Sequence, residues 1–142
     1  MRISDVLRRK GSEVATIERT ATIGQLVVTL AERNIGAAVV ADATGLVGIV
    51  SERDVVRRLR DLGGDLLAAT VDQIMTANVF TCSPEDTVNH LARVMTQRRI
   101  RHVPVLADGE LVGIVSIGDV VKSRMDELET DREQLESYIA QG

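Results

Sequence analysis

Ser51 and Asp54, and again Ser116 and Asp119, stand three residues apart directly after a short run of β-branched residues with one glycine in it. A hydroxyl and a carboxylate at that spacing, where a strand turns into a helix, admit two chemistries. In one, Ser is the N-cap and Asp sits at N3, and each satisfies a backbone amide of the other as a capping box. In the other, the free amides and the positive end of the helix dipole seat a phosphate against the Ser hydroxyl, and the Asp faces a pair of sugar hydroxyls. A single copy favours the cap. Two copies in register, with matching flanks, shift the balance towards a ligand site.

The elements that position these pairs are themselves repeated. Residues 46–56 and 111–121 agree at nine of eleven positions, and Thr81 matches Thr16, Leu91 matches Leu26, Ile100 matches Ile35 and Ser116 matches Ser51, all 65 residues apart. In the first copy, residues 14–17 read as a brief strand. Thr22 and Gln25 form a capping-box start for a helix with Ile23, Leu26, Val27, Leu30 and Ala31 on its buried stripe. Residues 35–41 and 46–50 read as two strands of a hairpin turned at 42–45, and a helix carrying Val55, Val56 and Leu59 follows. The expected fold is α+β: two β-α-β-β-α repeats packed through a pseudo-twofold, each hiding an apolar face that would be exposed alone. Repeat one takes residues 1–62, a linker 63–70, repeat two 71–125, and a helical extension 126–142. Short amphipathic segments, at 3–9 and 71–75, lead into the two repeats.

Composition narrows the function. Phe80 and Tyr138 are the only aromatic residues, so the core is aliphatic and no row of rings exists for stacking bases. The formal charge is −4, but residues 126–142 carry six acids against Arg132 alone, which leaves the body nearly neutral. Arg53, Arg57, Arg58 and Arg60 after the first motif, and Arg98, Arg99 and Arg101 before the second, suit a small anion rather than the broad basic face of a DNA binder; the alternative for each cluster is a solvated helix face. The single Cys82 offers no intrachain disulfide and no zinc spacing, and is expected to be structural. His90 falls on the solvent side of its helix. No apolar run reaches the length of a signal peptide or a membrane span, so a cytoplasmic protein with no membrane or nucleic-acid partner is expected.

The chain resembles a tandem pair of cystathionine-β-synthase (CBS) domains, the Bateman module, over nearly its whole length and with no further domain appended. The residues that carry the likeness are Arg101-His102-Val103-Pro104-Val105, the turn Asp108-Gly109-Glu110, and Leu-Val-Gly-Ile-Val-Ser-x-x-Asp. The resemblance implies an adenosine nucleotide (AMP, ADP, ATP or NAD) in the cleft between the repeats. It makes Asp54 and Asp119 ribose anchors, Ser51 and Ser116 phosphate or ribose contacts, and Thr16 and Thr81 the lining of the adenine pocket. Arg101 and His102, with Pro104 on the same strand, become the phosphate-facing groups. The two copies differ where it matters: Gly36, Ala37, Ala38 and Val39 replace Arg101, His102, Val103 and Pro104, and Arg53 stands where the second repeat has Gly118. Gly118 leaves room for a ligand, whereas Arg53 either contacts phosphate or fills that room. With Gly118, Arg101 and His102 in its own repeat, Asp119 is expected to anchor the stronger site.

No nucleophile with a base, metal cluster or paired-acid cleft appears at recognisable spacing, so an enzyme is not expected. The leading expectation is a regulatory module that binds an adenosine nucleotide and signals to a regulated partner protein. The alternative is a non-catalytic assembly protein whose Ser-x-x-Asp pairs are only helix caps. Val121, Met125, Leu128, Leu135 and Ile139 keep a four-and-three spacing interrupted by Arg132, which points to a long C-terminal helix and a homodimer.

Overall fold

The computed structural model describes residues 1–141. Helix α1 (Ile3–Lys10) leads into β1 (Thr16–Ile17), α2 (Ile23–Arg33), β2 (Ala37–Asp42), β3 (Gly45–Ser51) and α3 (Glu52–Leu62). Two 3-10 turns, Gly63–Ala68 and Val71–Gln73, connect to α4 (Val88–Arg98), β4 (His102–Ala107), β5 (Glu110–Ser116) and α5 (Ile117–Gln141). The fold is α+β, with two small sheets and helices packed on them, as the duplicated pattern predicts.

The hairpins β2–β3 and β4–β5 have the same register, Val39 opposite Ile49 and Pro104 opposite Ile114, and each carries one irregularity near its turn. The turns are built by the expected residues. Asp42 accepts from the Thr44 amide at 2.8 Å, and Gly45 and Gly109 adopt φ of +112° and +80°, which a side chain would strain.

The sheets differ in their third strand. In repeat one β1 pairs in parallel with β2, and the Val39 amide donates to Ala15 O at 3.0 Å. The equivalent of Val39 is Pro104, which has no amide to donate, so that pairing is lost. What remains is a bridge at Cys82, whose amide donates to Pro104 O at 3.0 Å and whose carbonyl accepts from the Leu106 amide at 2.9 Å.

Two aliphatic cores form, and the segments that complete them are exchanged. Ile3 and Val6 of α1 are buried with Cys82, Val88, Leu91, Met95, Val103, Val105, Val115 and Val120 of repeat two. Leu66, Val71 and Ile74, from the stretch between the repeats, are buried with Ile23, Leu26, Leu30, Ala38, Val40 and Val50 of repeat one. The linking stretch is therefore also a core element. Each lead-in segment lies over a strand glycine: a Cβ on Gly48 would come within 2.6 Å of Met75 Sδ, and one on Gly113 within 2.6 Å of Leu7 Cδ2.

Helix α3 buries no residue, and Val56, Leu59 and Leu62 are exposed along it. Helix α5 runs for 25 residues, well past the repeat, with Val121, Met125, Leu128, Leu135 and Ile139 exposed. Val27, expected on the buried stripe of α2, is instead 38% exposed, because Ile23, Leu26 and Leu30 alone face the core.

Candidate functional site

Both Ser-x-x-Asp pairs close as capping boxes. Asp54 accepts from the Ser51 amide at 2.8 Å while the Asp54 amide donates to Ser51 Oγ at 3.3 Å; for Ser116 and Asp119 the same two distances are 2.8 and 3.1 Å. The cap is thus present at both sites, and whether either pair also holds a ligand depends on the surroundings.

Those surroundings are unequal. A cavity of about 450 Å³ opens at the N-terminus of α3, within the size range of small-molecule sites. Ser51, Glu52, Arg53, Asp54 and Arg57 form one wall, and Thr76, Asn78, Val79, Phe80 and residues 98–102 form the other. Among the first amides of α3, that of Glu52 donates to Gly36 O at 2.9 Å and that of Asp54 to Ser51 Oγ, which leaves the Arg53 amide for an incoming acceptor. The Phe80 ring lies 4.7 Å beneath the Arg98 guanidinium, a cation-π contact that fixes both at the rim.

At Asp119 the carboxylate is already paired. The Lys10 ammonium donates to Asp119 Oδ2 at 2.7 Å and to Ile114 O at 2.8 Å. Burial pushes the Asp119 carboxyl up, but the hydrogen bonds from Lys10 and the Ser116 amide, together with the Lys10 charge, outweigh it and hold the group below its ordinary 3.8.

Of the residues singled out in the sequence, Ser51, Arg53, Asp54, Arg101 and His102 come together in the cavity. Thr16, Thr81, Pro104, Ser116, Gly118 and Asp119 are not in its lining, although Phe80 and Val79 beside Thr81 are. Arg101 and His102 therefore line the Asp54 cavity, across the repeat boundary, while His102 also pairs in register with Ser116. The start of β4 lies against repeat one, where His102 Cε1 and Nε2 stand 3.4 Å from the position a Cβ on Gly36 would take. Burial lowers the His102 pKa below 6.5; Glu52 and Asp119 oppose that shift, and Lys10 and Arg101 reinforce it.

Sequence reasoning missed Glu52, Thr76, Asn78 and Phe80, together with Lys10. Phe80 carried one signal, as the single phenylalanine of the chain next to a strand whose first pairing Pro104 removes. Cys82 is buried, and desolvation followed by the Asp86 charge pushes its thiol up to about 12, so it is inert. Among the described residues no group of His, Cys, Asp and Glu could hold a metal ion, and no helix is long and apolar enough to cross a membrane.

Comparison with known proteins agrees with this architecture. The family model for the CBS domain matches residues 3–61 and 71–126. The CBS domain-containing protein CBSX3, mitochondrial, of Arabidopsis thaliana is 34% identical over 99% of this chain and 72% of its own length. The crystal structure of the CBS-domain containing protein ATU1752 from Agrobacterium tumefaciens is 44% identical, with a TM-score of 0.84 over 87% of this chain and 92% of that one. The CBS domain pair of protein MJ0100, solved in complex with 5′-methylthioadenosine and S-adenosyl-L-methionine, is 27% identical, with a TM-score of 0.77 over 89% and 98%.

Proposed function

The chain belongs to the CBS-domain family, and we propose that it is a regulatory module that binds an adenosine nucleotide in the cleft between its repeats and reports it to a partner protein. The observation that carries this reading is the cavity that joins the capped N-terminus of α3 to Phe80 and the Arg98–His102 corner of the other repeat. In this reading Asp54 accepts from ribose hydroxyls, Ser51 and the Arg53 amide meet a phosphate, and the arginines neutralise it. The adenosine ligands of the MJ0100 pair support the ligand class. The role is binding, not catalysis, and the lone buried thiol suits a reducing cytoplasm.

The module acts as a homodimer. The exposed apolar residues of α3 and α5 lie on helices with an unpartnered face, and a second copy would bury both.

A thermal-shift panel of AMP, ADP, ATP, NAD and S-adenosylmethionine tests the reading, since a ligand at about a hundredfold over its Kd adds roughly 2.7 kcal/mol of stability. A flat response to every compound would leave the second reading, an assembly protein. That reading has its own support in the two complete capping boxes.

A further inference from the structure

Five arginines, Arg53, Arg57, Arg98, Arg99 and Arg101, line one cavity, and the acids that share its lining are Glu52 and Asp54. Among the described residues, none of the five makes a salt bridge, and none of their side chains makes a hydrogen bond. Asp54 is already engaged with Ser51. Unneutralised like charges around one cavity repel one another, and they raise the local concentration of anions.

The molecule contains its own control. At the positions 65 residues away, the five become Gly118, Lys122, Arg33, Asn34 and Gly36, so only two cations remain. Arg33 lies 4.0 Å from Glu13, and the acid of that site, Asp119, is paired with Lys10. The same fold thus tolerates the loss of three of the five charges, so their presence on one side is not a requirement of the architecture. The positive end of α3 and its free Arg53 amide add to the same field.

Resting on the adenosine reading above, we infer that the Asp54 cleft selects nucleotides by their phosphate chain and takes a nucleoside bearing two or more consecutive phosphates over a monophosphate or an uncharged or cationic adenosine derivative. One phosphate at the α3 N-terminus can be met by Ser51, the Arg53 amide and one guanidinium. Arg57, one turn further along α3, and the Arg98–Arg101 corner opposite it then have anionic oxygens to meet only if the chain continues.

Calorimetric titration of the full chain with adenosine, AMP, ADP, ATP, S-adenosylmethionine and inorganic tripolyphosphate, at low salt and at about 0.2 M salt, tests this. The expected order is ATP, ADP, AMP, with about tenfold lost per phosphate removed, as for one charge-assisted contact, and the steepest salt dependence for ATP. Arg57→Gln, an exposed change on a solvated helix, narrows the ATP-to-AMP ratio; its melting temperature serves as the check on folding. Equal affinity for AMP, ADP and ATP, or tightest binding of S-adenosylmethionine, overturns the inference and leaves the adenosine reading intact. Binding of tripolyphosphate with no adenosine compound bound supports the polyanion seat and sinks the adenosine reading. No binding by any of the six overturns both.

Discussion

The Lys10 ammonium lies 2.7 Å from the Asp119 carboxylate, so the second Ser-x-x-Asp pair is met by a cation from the chain's own first helix, 109 residues away. Among the described residues the homologous Asp54 has no cationic partner, and it opens onto a cavity. Repetition of sequence has produced one acid that borders a cavity and one that is paired internally.

From this pair, Lys10→Ala exposes an unpaired carboxylate and costs about 1 kcal/mol, since both groups are less than a third exposed. The sign of its pH dependence follows from the lowered Asp119 pKa. The stabilisation is present above the ordinary 3.8 and is lost as pH falls through the folded value, so wild-type and Lys10→Ala melting curves converge at acid pH. On the proposed reading, nucleotide stoichiometry is expected to be one per chain in the wild type and to rise in the variant. Calorimetry reads the second effect, and an unchanged stoichiometry would separate Lys10 from any gating of that site.

Asp54→Asn keeps the size and one acceptor oxygen but removes the charge. It is expected to cost about 1.5 to 3 kcal/mol of nucleotide affinity, ten- to a hundredfold, with little change in the apo melting point. Asp119→Asn is expected to change affinity less. This order reverses the one drawn from motif neighbours alone, because Arg101 and His102 line the Asp54 side. Equal affinity of the wild type and Asp54→Asn would remove the ribose role.

His102 couples binding to protons. Its folded pKa is lowered, so the unfolded chain takes up the proton first, and stability falls as pH drops below about 6.5 until the folded value is passed. A bound phosphate chain raises that pKa, so affinity strengthens over the same window and binding near pH 6 takes up protons. Titrations in two buffers of different ionisation enthalpy measure this uptake, and His102→Gln abolishes it.

The exchanged core segments predict a crossed response. Ile3→Ala opens a cavity among Val88, Leu91 and Val115, and Leu66→Ala one among Ile23, Leu26 and Val50, each at about 2 to 5 kcal/mol. Amide exchange should accelerate in β4 and β5 for Ile3→Ala, and in β2 and β3 for Leu66→Ala. Acceleration confined to the sequence neighbours of each substitution would contradict the packing.

Leu128→Glu places a charge in the exposed stripe of α5; by light scattering at micromolar concentration the variant is expected to run as a monomer and the wild type as the proposed dimer. Retained dimerisation would move the interface off that helix.

Much of this was legible because it is local. The hairpin turns at Gly45 and Gly109, the caps at Ser51 and Ser116 and the long α5 each declare themselves within a few residues. The rest depends on distance in space. The stripe of Ile3 and Val6 says that α1 is buried, but not that its core belongs to repeat two. Residues 63–70 read as a break because Gly63 and Gly64 interrupt the pattern, yet Leu66 is fully buried. Lys10 gives no sign of its partner, and the cavity draws its walls from both repeats, so the sequence paired Arg101 with the acid of its own copy while the structure brings it to the cavity that Asp54 lines. The loss of a third strand pairing in repeat two could have been read from Pro104.

The exchange of lead-in segments also sets an order of events on the ribosome. The core of repeat one is complete once Ile74 has emerged, because every residue that fills it precedes that point. Helix α1 is made before that half, but its core includes Val115 and Val120, translated on the order of a hundred residues later, about 5 to 20 s at usual rates. From the emergence of Ile74 until Val120 follows, the apolar stripe of α1 stands unsatisfied beside a finished half. Helix α1 is thus a segment made early whose burial waits for residues made late.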